Sequence, residues 1–266
     1  MSNGHTFIQA DFPMYEGTKV PHLRIAEGDV APYVLLPGDP GRVELISQLF
    51  DQYEIVGSNR EFKVGTGEYN GKSVSVCSTG IGGSSTEIAV LELLKLKAKC
   101  LLRIGGTGAI QEGIDCGDLI INTGSVRIGG TSHHYARPEY PAVANHYVVQ
   151  ALIEACEELG YRYHLGIGAT TSSFYHGQGR DLTGSNYSSG IIEEMQSLGV
   201  LNLEMESETL LTLASVMGAY AGTLLVVHAN RATNQWLVDY EESQMKLCRA
   251  ALHAIDKLIH RGVVKL

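Results

Sequence analysis

The stretch LLRIGGTGAI, residues 101–110, sets one arginine at the end of an apolar run and follows it with three glycines in five positions. A continuous apolar run of this kind is typical of a strand buried on both faces of a sheet. Glycine has no Cβ, so it lets the backbone approach a ligand closely. Arg103 carries a planar guanidinium that matches the oxygens of a phosphate group. The stretch predicts a buried strand leading into an anion site, and a structural ion pair of Arg103 with an acidic side chain is the alternative.

On both sides of this stretch, apolar runs bounded by turn residues alternate with segments at helical spacing. Predicted strands include CLLRIGG, DLIINTGSVRI and GTLLVVHANR, and predicted helices include RVELISQLF, SSTEIAVLELLKLK, HYVVQALIEACEELG and EESQMKLCRAALHAIDKLIHRG. The alternation predicts a single-domain, three-layer α/β/α fold with a mixed, largely parallel central sheet. We expect residues 1–21 to be an N-terminal extension and residues 22–266 to form the domain.

The composition excludes several classes of partner. The formal charge is −9, with 20 Lys and Arg against 29 Asp and Glu, so no global basic field draws in nucleic acid or an anionic membrane. The five cysteines are scattered, without a CxxC pair, which favours reduced thiols over a disulfide framework or a zinc site. A secretory leader and a long apolar segment are both missing from the sequence, so we expect a cytoplasmic protein.

Two glycine-rich segments resemble nucleotide-binding motifs and fail their spacing rules. In GTGEYNGKS, residues 65–73, a phosphate loop needs four residues between its first glycine and Gly-Lys-Ser, but Gly65 and Gly67 leave five and three. Asn70-Gly71 predicts a hairpin turn instead. In GIGGSS, residues 80–85, Ser85 occupies the place of the third glycine of a dinucleotide fingerprint. Neither HExxH nor GxSxG occurs, so a zinc peptidase and an α/β-hydrolase have no support.

Glycines occur at the predicted ends of three strands, and two of these ends also have an arginine. The segments are PGDPGR at residues 37–42, STGIGG at 78–83 and RIGGTG at 103–108. Ligands of open α/β sheets bind outside the carboxyl ends of the strands. Backbone N–H groups freed by glycine, together with arginine forks, suit phosphate oxygens. The three segments therefore predict a site for free phosphate.

Six motifs in order resemble the nucleoside phosphorylase family, and most closely its uridine phosphorylase branch. They are LLPGDPGRV (35–43), SNREF (58–62), VCSTGIGG (76–83), LLRIGGTGAI (101–110), SFYHGQGR (173–180) and NLEMESETLL (202–211). The resemblance implies phosphorolysis of uridine to uracil and ribose 1-phosphate. It implies inorganic phosphate as co-substrate and no organic cofactor.

The resemblance also implies roles for individual residues. For phosphate it implies Gly38, Arg42, Arg60 from the neighbouring subunit, Arg103, and Gly106 with Thr107. For ribose it implies His22 lent across a dimer, Met205 and Glu206. For the base it implies Phe174, Gln178, Arg180, Leu203, Glu204, His228 and Arg231. Among all of these, Arg103, Arg180 and Glu206 are expected to be catalytic.

The base pocket points to uracil. Departure of uracil leaves negative charge on its ring, and an arginine aimed at the base, such as Arg180 on the loop GQGRDLTGSNYSSG (177–190), stabilises that charge. Purine-specific relatives use an Asp near the end of the penultimate strand, whereas VVHANR, residues 226–231, holds no acid. A purine nucleoside phosphorylase with His228 as the acid at N7 is the alternative.

Three positions depart from the family pattern. Gly106 replaces a usual threonine, Leu203 a usual aromatic residue, and His228 a usual aliphatic residue that covers the base. A side-chain hydroxyl bridging phosphate and ribose is then missing unless Thr107 or a backbone N–H replaces it. A catalytically weak nucleoside-binding paralogue is therefore a second alternative.

The resemblance further implies an assembly of dimers into a hexamer. A monovalent cation, K⁺, is expected between paired subunits, held by Glu61, Ser85 and the backbone carbonyl of Ile81, since a hard cation takes oxygen ligands. An ion pair of Glu61 with an arginine is the alternative for that carboxylate.

Overall fold

The computed structural model describes residues 6–182, 184, 190–262 and 264. The strands are β1 Tyr33–Pro37, β2 Gln52–Asn59, β3 Phe62–Tyr69, β4 Lys72–Cys77, β5 Cys100–Ala109, β6 Leu119–Ile128, β7 Ala142–Val143, β8 Tyr163–Thr171, β9 Asn202–Glu204, β10 Tyr220–Asn230 and β11 Gln235–Trp236. The α-helices are α1 Pro40–Ser47, α2 Gly83–Lys95, α3 His146–Glu158, α4 Ile191–Ser197, α5 Ser207–Val216 and α6 Glu241–Arg261.

The strands form one mixed sheet in the order β11-β10-β6-β8-β9-β5-β1-β4-β3-β2. β1 runs parallel to β4 and β5, and β5 runs parallel to β10, whereas β2, β3 and β4 are antiparallel. The predicted α/β fold with a mixed sheet is confirmed. The predicted hairpin is present too, because Asn70 and Gly71 both have positive φ, 52° and 68°, between β3 and β4.

The sheet also closes on itself at one side. β5 pairs with both β9 and β10, and the path from β10 through β6 and β8 returns to β9. Five strands therefore form a closed ring of pairings, β5-β10-β6-β8-β9-β5. β5 also pairs with β1, so it joins this ring to the rest of the sheet.

Helices cover the two faces of the sheet. Neighbouring side chains of β1 point to opposite faces and therefore pack in two different cores. Leu35 packs with Leu152 of α3 and Ile255 of α6 in one core. Val34 packs in a second core that also contains Val90 of α2 and further residues of α2 and α5. Both faces of the strand are buried, as its continuous apolar sequence predicts.

The segment before β1 is part of the second core. Val20, Leu23 and Ile25 are fully buried there. The predicted domain boundary at residue 22 thus falls inside a packed segment. Among the helices of the described ranges, none is long and apolar enough to cross a bilayer.

Two loops at the carboxyl end of the sheet are tied together. Asp39 caps α1 by accepting a hydrogen bond from the N–H of Gly41 at 2.8 Å. The N–H of Gly80, which follows β4, donates to the carbonyl of Gly38 at 2.9 Å. A Cβ on Gly38 would lie 3.0 Å from the carbonyl oxygen of Gly80, so glycine permits this approach. The loops after β1 and β4 therefore share one edge, where the cavity described next begins.

Candidate active site

A cavity of about 650 Å³ opens at the ends of the central strands. Its wall comes from the loops after β1, β4 and β8, and from β5, β9 and β10. Predicted site residues that line it are Gly38, Arg42, Glu61, Ile81, Arg103, Gly106, Thr107, Phe174, Gln178, Arg180, Leu203, Glu204, Met205, Glu206 and His228. The fold therefore brings most of the predicted set to one place.

Arg103 is buried in β5, with 4% of its surface exposed, and is paired with two carboxylates. Its Nε donates to Glu204 Oε2 at 2.9 Å, and its Nη2 lies 2.5 Å from Glu206 Oε2. Burial opposes the charge of Arg103, but attraction to Glu206 and then Glu204 outweighs it and raises the pKa of the guanidinium. The geometry is consistent with both interpretations of Arg103, since this cation lines the cavity and also forms a buried ion pair.

The two carboxylates are held by different groups. Glu204 accepts hydrogen bonds from the backbone N–H groups of Glu206 and Ser207 and from the hydroxyl of Thr170. Glu206 accepts from the N–H of Gly82 at 2.5 Å, and burial raises the pKa of its carboxyl. Both carboxylates line the cavity, but Glu204 is held by the backbone that follows β9 and by Thr170, whereas Glu206 connects the loop after β4 with Arg103.

Arg42, in the first turn of α1, has no carboxylate within ion-pair distance among the described residues. Its Nη1 reaches the carbonyl of Ile104 at 3.4 Å, and its Nε is buried without a partner in the described structure. Burial, and then repulsion from Arg103, lowers the pKa of Arg42. Arg42 and Arg103 therefore line the same cavity close enough to repel each other, and an anion bound beside them would offset that repulsion.

Thr107 does not offer a free hydroxyl to the cavity. Its Oγ1 donates to the carbonyl of Leu203 at 2.8 Å and accepts from the amide of Asn202 at 2.8 Å. Its only proton is therefore engaged between β5 and β9. Gly106 leaves the neighbouring position without a side chain, and the ring of His228 occupies that space.

Three of the residues predicted for the base, Phe174, Gln178 and Arg180, lie together on the loop after β8. The guanidinium of Arg180 stands over the ring of Phe174, 4.1 Å from the centroid, and Nη1 donates to Gln178 Oε1 at 2.6 Å. Burial, and then repulsion from Arg231, lowers the pKa of Arg180 to about 10. A Cβ on Gly108 would contact Arg180 Nη2 at 3.7 Å, so the guanidinium folds back over β5. Residues 183 and 185–189 of the predicted flap lie outside the described residues.

Four predicted residues stand away from this cavity. Arg231 is hydrogen-bonded to the loop after β8, since its guanidinium donates to the carbonyls of Gln178 and Gly179 at 2.7 and 3.1 Å. His22 Nδ1 lies 2.7 Å from Glu92 Oε1, and Arg60 is exposed at a turn with φ of 55°. Ser85 donates to Glu61 rather than facing the cavity. Arg231 therefore supports the backbone of the loop after β8.

A family model of the phosphorylase superfamily matches residues 32–260. The chain belongs to the phosphorylase superfamily. This confirms the family that the six motifs indicate, and the superfamily places the chain among pentosyltransferases that use phosphate as co-substrate.

Similar proteins within the superfamily are named as phosphorylases of two different nucleosides. The chain is 49% identical to a uridine phosphorylase of Thermococcus kodakarensis over 86% of this chain and 84% of that protein. It is 45% identical to the uridine phosphorylase of Escherichia coli over 80% and 87%. A guanosine phosphorylase of Halorubrum lacusprofundi is 37% identical over 80% and 84%.

This phosphorylase cavity also contains residues that sequence analysis did not select, namely Asp39, Pro40, Gly80, Gly105, Gly108, Ala229 and Trp236. Gly105 has a specific reason: a Cβ there would lie 2.8 Å from Arg103 Nη2, so a side chain would displace the guanidinium. The glycines of LLRIGGTGAI could have indicated Gly105 from the sequence alone. Trp236 could not have been found in this way, because it lies on the two-residue strand β11, which has no detectable periodicity.

The predicted cation ligands of this phosphorylase are partly together. Glu61 Oε1 accepts from the Ser85 hydroxyl at 2.8 Å. Its own backbone N–H and then Ser85 lower the pKa of the Glu61 carboxyl, which keeps it ionised. Glu61 forms no ion pair with an arginine within the described part of the chain. An ionised carboxylate beside a hydroxyl is an oxygen set that suits a hard cation.

Proposed function

We propose that this protein is a uridine phosphorylase, which converts uridine and phosphate to uracil and ribose 1-phosphate in pyrimidine salvage. The observation that carries the proposal is the separation of charge along the cavity. The guanidinium of Arg103 lies against Gly105 and is paired with Glu206, whereas the guanidinium of Arg180, hydrogen-bonded to Gln178, lies against Gly108, three residues farther along β5. These positions suit an anionic nucleophile beside Arg42 and Arg103, ribose hydroxyls beside Glu206, and the carbonyl oxygens of a base beside Gln178 and Arg180.

The reaction follows from that arrangement. A phosphate oxygen forms a bond to C1′ of ribose while the bond from C1′ to N1 of uracil breaks, and the electron pair of the broken bond passes to the base. Arg42 and Arg103 hold the phosphate against C1′, which replaces a bimolecular encounter by a positioned attack. Arg180, whose pKa of about 10 leaves it charged at neutral pH, stabilises the negative charge on departing uracil.

The purine alternative lacks an acid at the base end. Burial, and then Arg42, lowers the pKa of His228 to about 4, so the imidazole is neutral at neutral pH and holds no extra proton for N7. The amide of Asn230 donates to the carbonyls of Gln111 and Ile114, and its oxygen accepts from Ala232 and Thr233. Neither residue is available to protonate a purine.

The deciding experiment measures base release from uridine, inosine and guanosine, each with and without phosphate. We expect uracil only, and only when phosphate is present. Equal rates in phosphate-free buffer would mean hydrolysis, and faster release of hypoxanthine or guanine would mean a purine enzyme. Binding of uridine without turnover would indicate a nucleoside-binding paralogue.

The proposal extends to assembly and location. His22 and Arg60 line no part of the cavity of their own chain, which supports their use by a neighbouring subunit. We place the chain in dimers that associate into a hexamer, with K⁺ near Glu61 and Ser85 between paired subunits. All five cysteines are free thiols, which supports a reducing cytoplasmic location.

A further inference from the structure

A β-bulge turns His228 toward the cavity. β10 runs parallel to β5 with Val227 opposite Thr107 and Ala229 opposite Gly108, so His228 is the extra residue between them. Bulges next to active sites re-aim a side chain that regular pleating would direct elsewhere. The bulge therefore explains how residue 228 of β10 comes to lie over residue 106 of β5.

The imidazole fills the place of a side chain at residue 106. A Cβ built on Gly106 would lie 2.4 Å from His228 Nδ1 and 2.5 Å from Cε1, distances that real atoms do not adopt. The opposite side of the ring packs on Tyr240, with centroids 5.0 Å apart and planes at 33°. Gly106 and His228 are thus one coupled pair, since either residue restricts the choice at the other.

The ring carries unused hydrogen-bonding capacity beside the predicted phosphate site. His228 lines the cavity with Nδ1 over Gly106, whereas Nε2 is buried without a partner in the described residues. Arg42 is close enough to influence its protonation. A neutral imidazole offers one N–H donor and one acceptor nitrogen. The Thr107 hydroxyl of β5 already donates its hydrogen bond to the carbonyl of Leu203.

We propose that His228 is a phosphate-binding residue, whose Nδ1–H, on the ring nitrogen that lies over Gly106, donates a hydrogen bond to the anion held between Arg42 and Arg103. The inference rests on the proposed function, because that function identifies the anion as phosphate. It assigns to β10 a contact for which β5 provides no free hydroxyl. It also accounts for the occurrence of glycine at 106 and histidine at 228 in the same chain.

The test separates the donor from the ring. His228→Phe keeps an aromatic ring against Tyr240 but removes both nitrogens. Gly106→Thr with His228→Val removes the imidazole and offers a hydroxyl from β5 in the space that the ring vacates. Gly106→Thr alone forces threonine against the imidazole. Phosphate binding is measured by calorimetry on the protein without nucleoside, and KM values for phosphate and uridine are measured separately.

We expect His228→Phe to weaken phosphate binding by about tenfold, while the KM for uridine changes by less than about twofold. The double variant should recover most of the phosphate affinity, and Gly106→Thr alone should lower both affinity and melting temperature. Unchanged phosphate affinity in a folded His228→Phe, or a rise confined to the KM for uridine, would overturn the inference. Should the parent protein fail to cleave uridine, the proposed function fails, and calorimetry still decides whether His228 binds the anion.

Discussion

Nη2 of Arg103 lies 2.5 Å from Oε2 of Glu206, so a cation predicted for phosphate and a carboxylate predicted for ribose form one buried ion pair. Each residue moderates the charge that the other presents to the cavity. A buried carboxylate beside a phosphate site weakens anion binding through repulsion while it preserves an acceptor for hydroxyl groups. The two halves of the substrate site are therefore electrostatically coupled.

This coupling predicts opposite effects from Glu206→Gln. The amide keeps the shape and one acceptor oxygen but removes the charge, so phosphate should bind at least as tightly as to the parent protein. Uridine turnover should fall, with kcat/KM lower by about tenfold or more, because a charged acceptor for the ribose hydroxyls is lost. Calorimetry with phosphate and steady-state kinetics with uridine measure the two effects. Glu193→Gln, on the exposed face of α4, is the control, and weaker phosphate binding with unchanged turnover would contradict the assignment.

A shared site predicts complementation between subunits. Arg42→Ala removes a cation from the site of its own chain, and it leaves no buried carboxylate unpaired because Arg42 has no acidic partner among the described residues. Arg60→Ala removes the cation proposed to reach the neighbouring site. Each variant alone should be nearly inactive. Co-expressed, they should form hybrid dimers in which one of two sites is intact, restoring about a quarter of parent activity at equal mixing. Activity that stays at the level of the separate variants would argue for sites complete within one chain.

Arg180 is predicted to choose and activate the base. Arg180→Ala should lower kcat for uridine by at least about a hundredfold, a loss of roughly 2.7 kcal/mol in the transition state. Phosphate affinity should change little, because Arg103 lies against Gly105 and Arg180 against Gly108, three residues farther along β5. Arg249→Ala, at an exposed position of α6, is the matched control. A variant that cleaves uridine near the parent rate, or that loses phosphate binding instead, would show that another group reads the base.

The proposed cation predicts a dependence on potassium. Replacing K⁺ by tetramethylammonium at equal ionic strength should lower the melting temperature and the activity, because the bulky ion cannot approach the oxygens of Glu61 and Ser85. Ser85→Ala should reduce the difference between the two salts. If the melting temperature and activity of the parent protein do not change with the salt, Glu61 binds no cation and only accepts the hydrogen bond from Ser85.

Local patterns in the sequence determined the framework of the fold. The apolar runs became β1 and β5, the helical segments became α2, α3 and α6, and Asn70-Gly71 became the turn between β3 and β4. These features depend on neighbours within a few residues, where side-chain period and the freedom of glycine leave a direct trace. The motif order likewise identified most side chains that line the cavity.

Only the tertiary structure decided which of those side chains touch. Arg103 and Glu204 are 101 residues apart in the chain, and His228 meets Gly106 because a bulge shifts β10 against β5. Thr107 is committed to Leu203, and Arg231 supports the loop after β8 instead of lining the cavity. Such contacts depend on register between strands distant in sequence and on where each buried charge finds its compensation. Neither strand register nor the pairing of buried charges can be inferred from local sequence periodicity, because both are set only when the strands around β5 form one sheet.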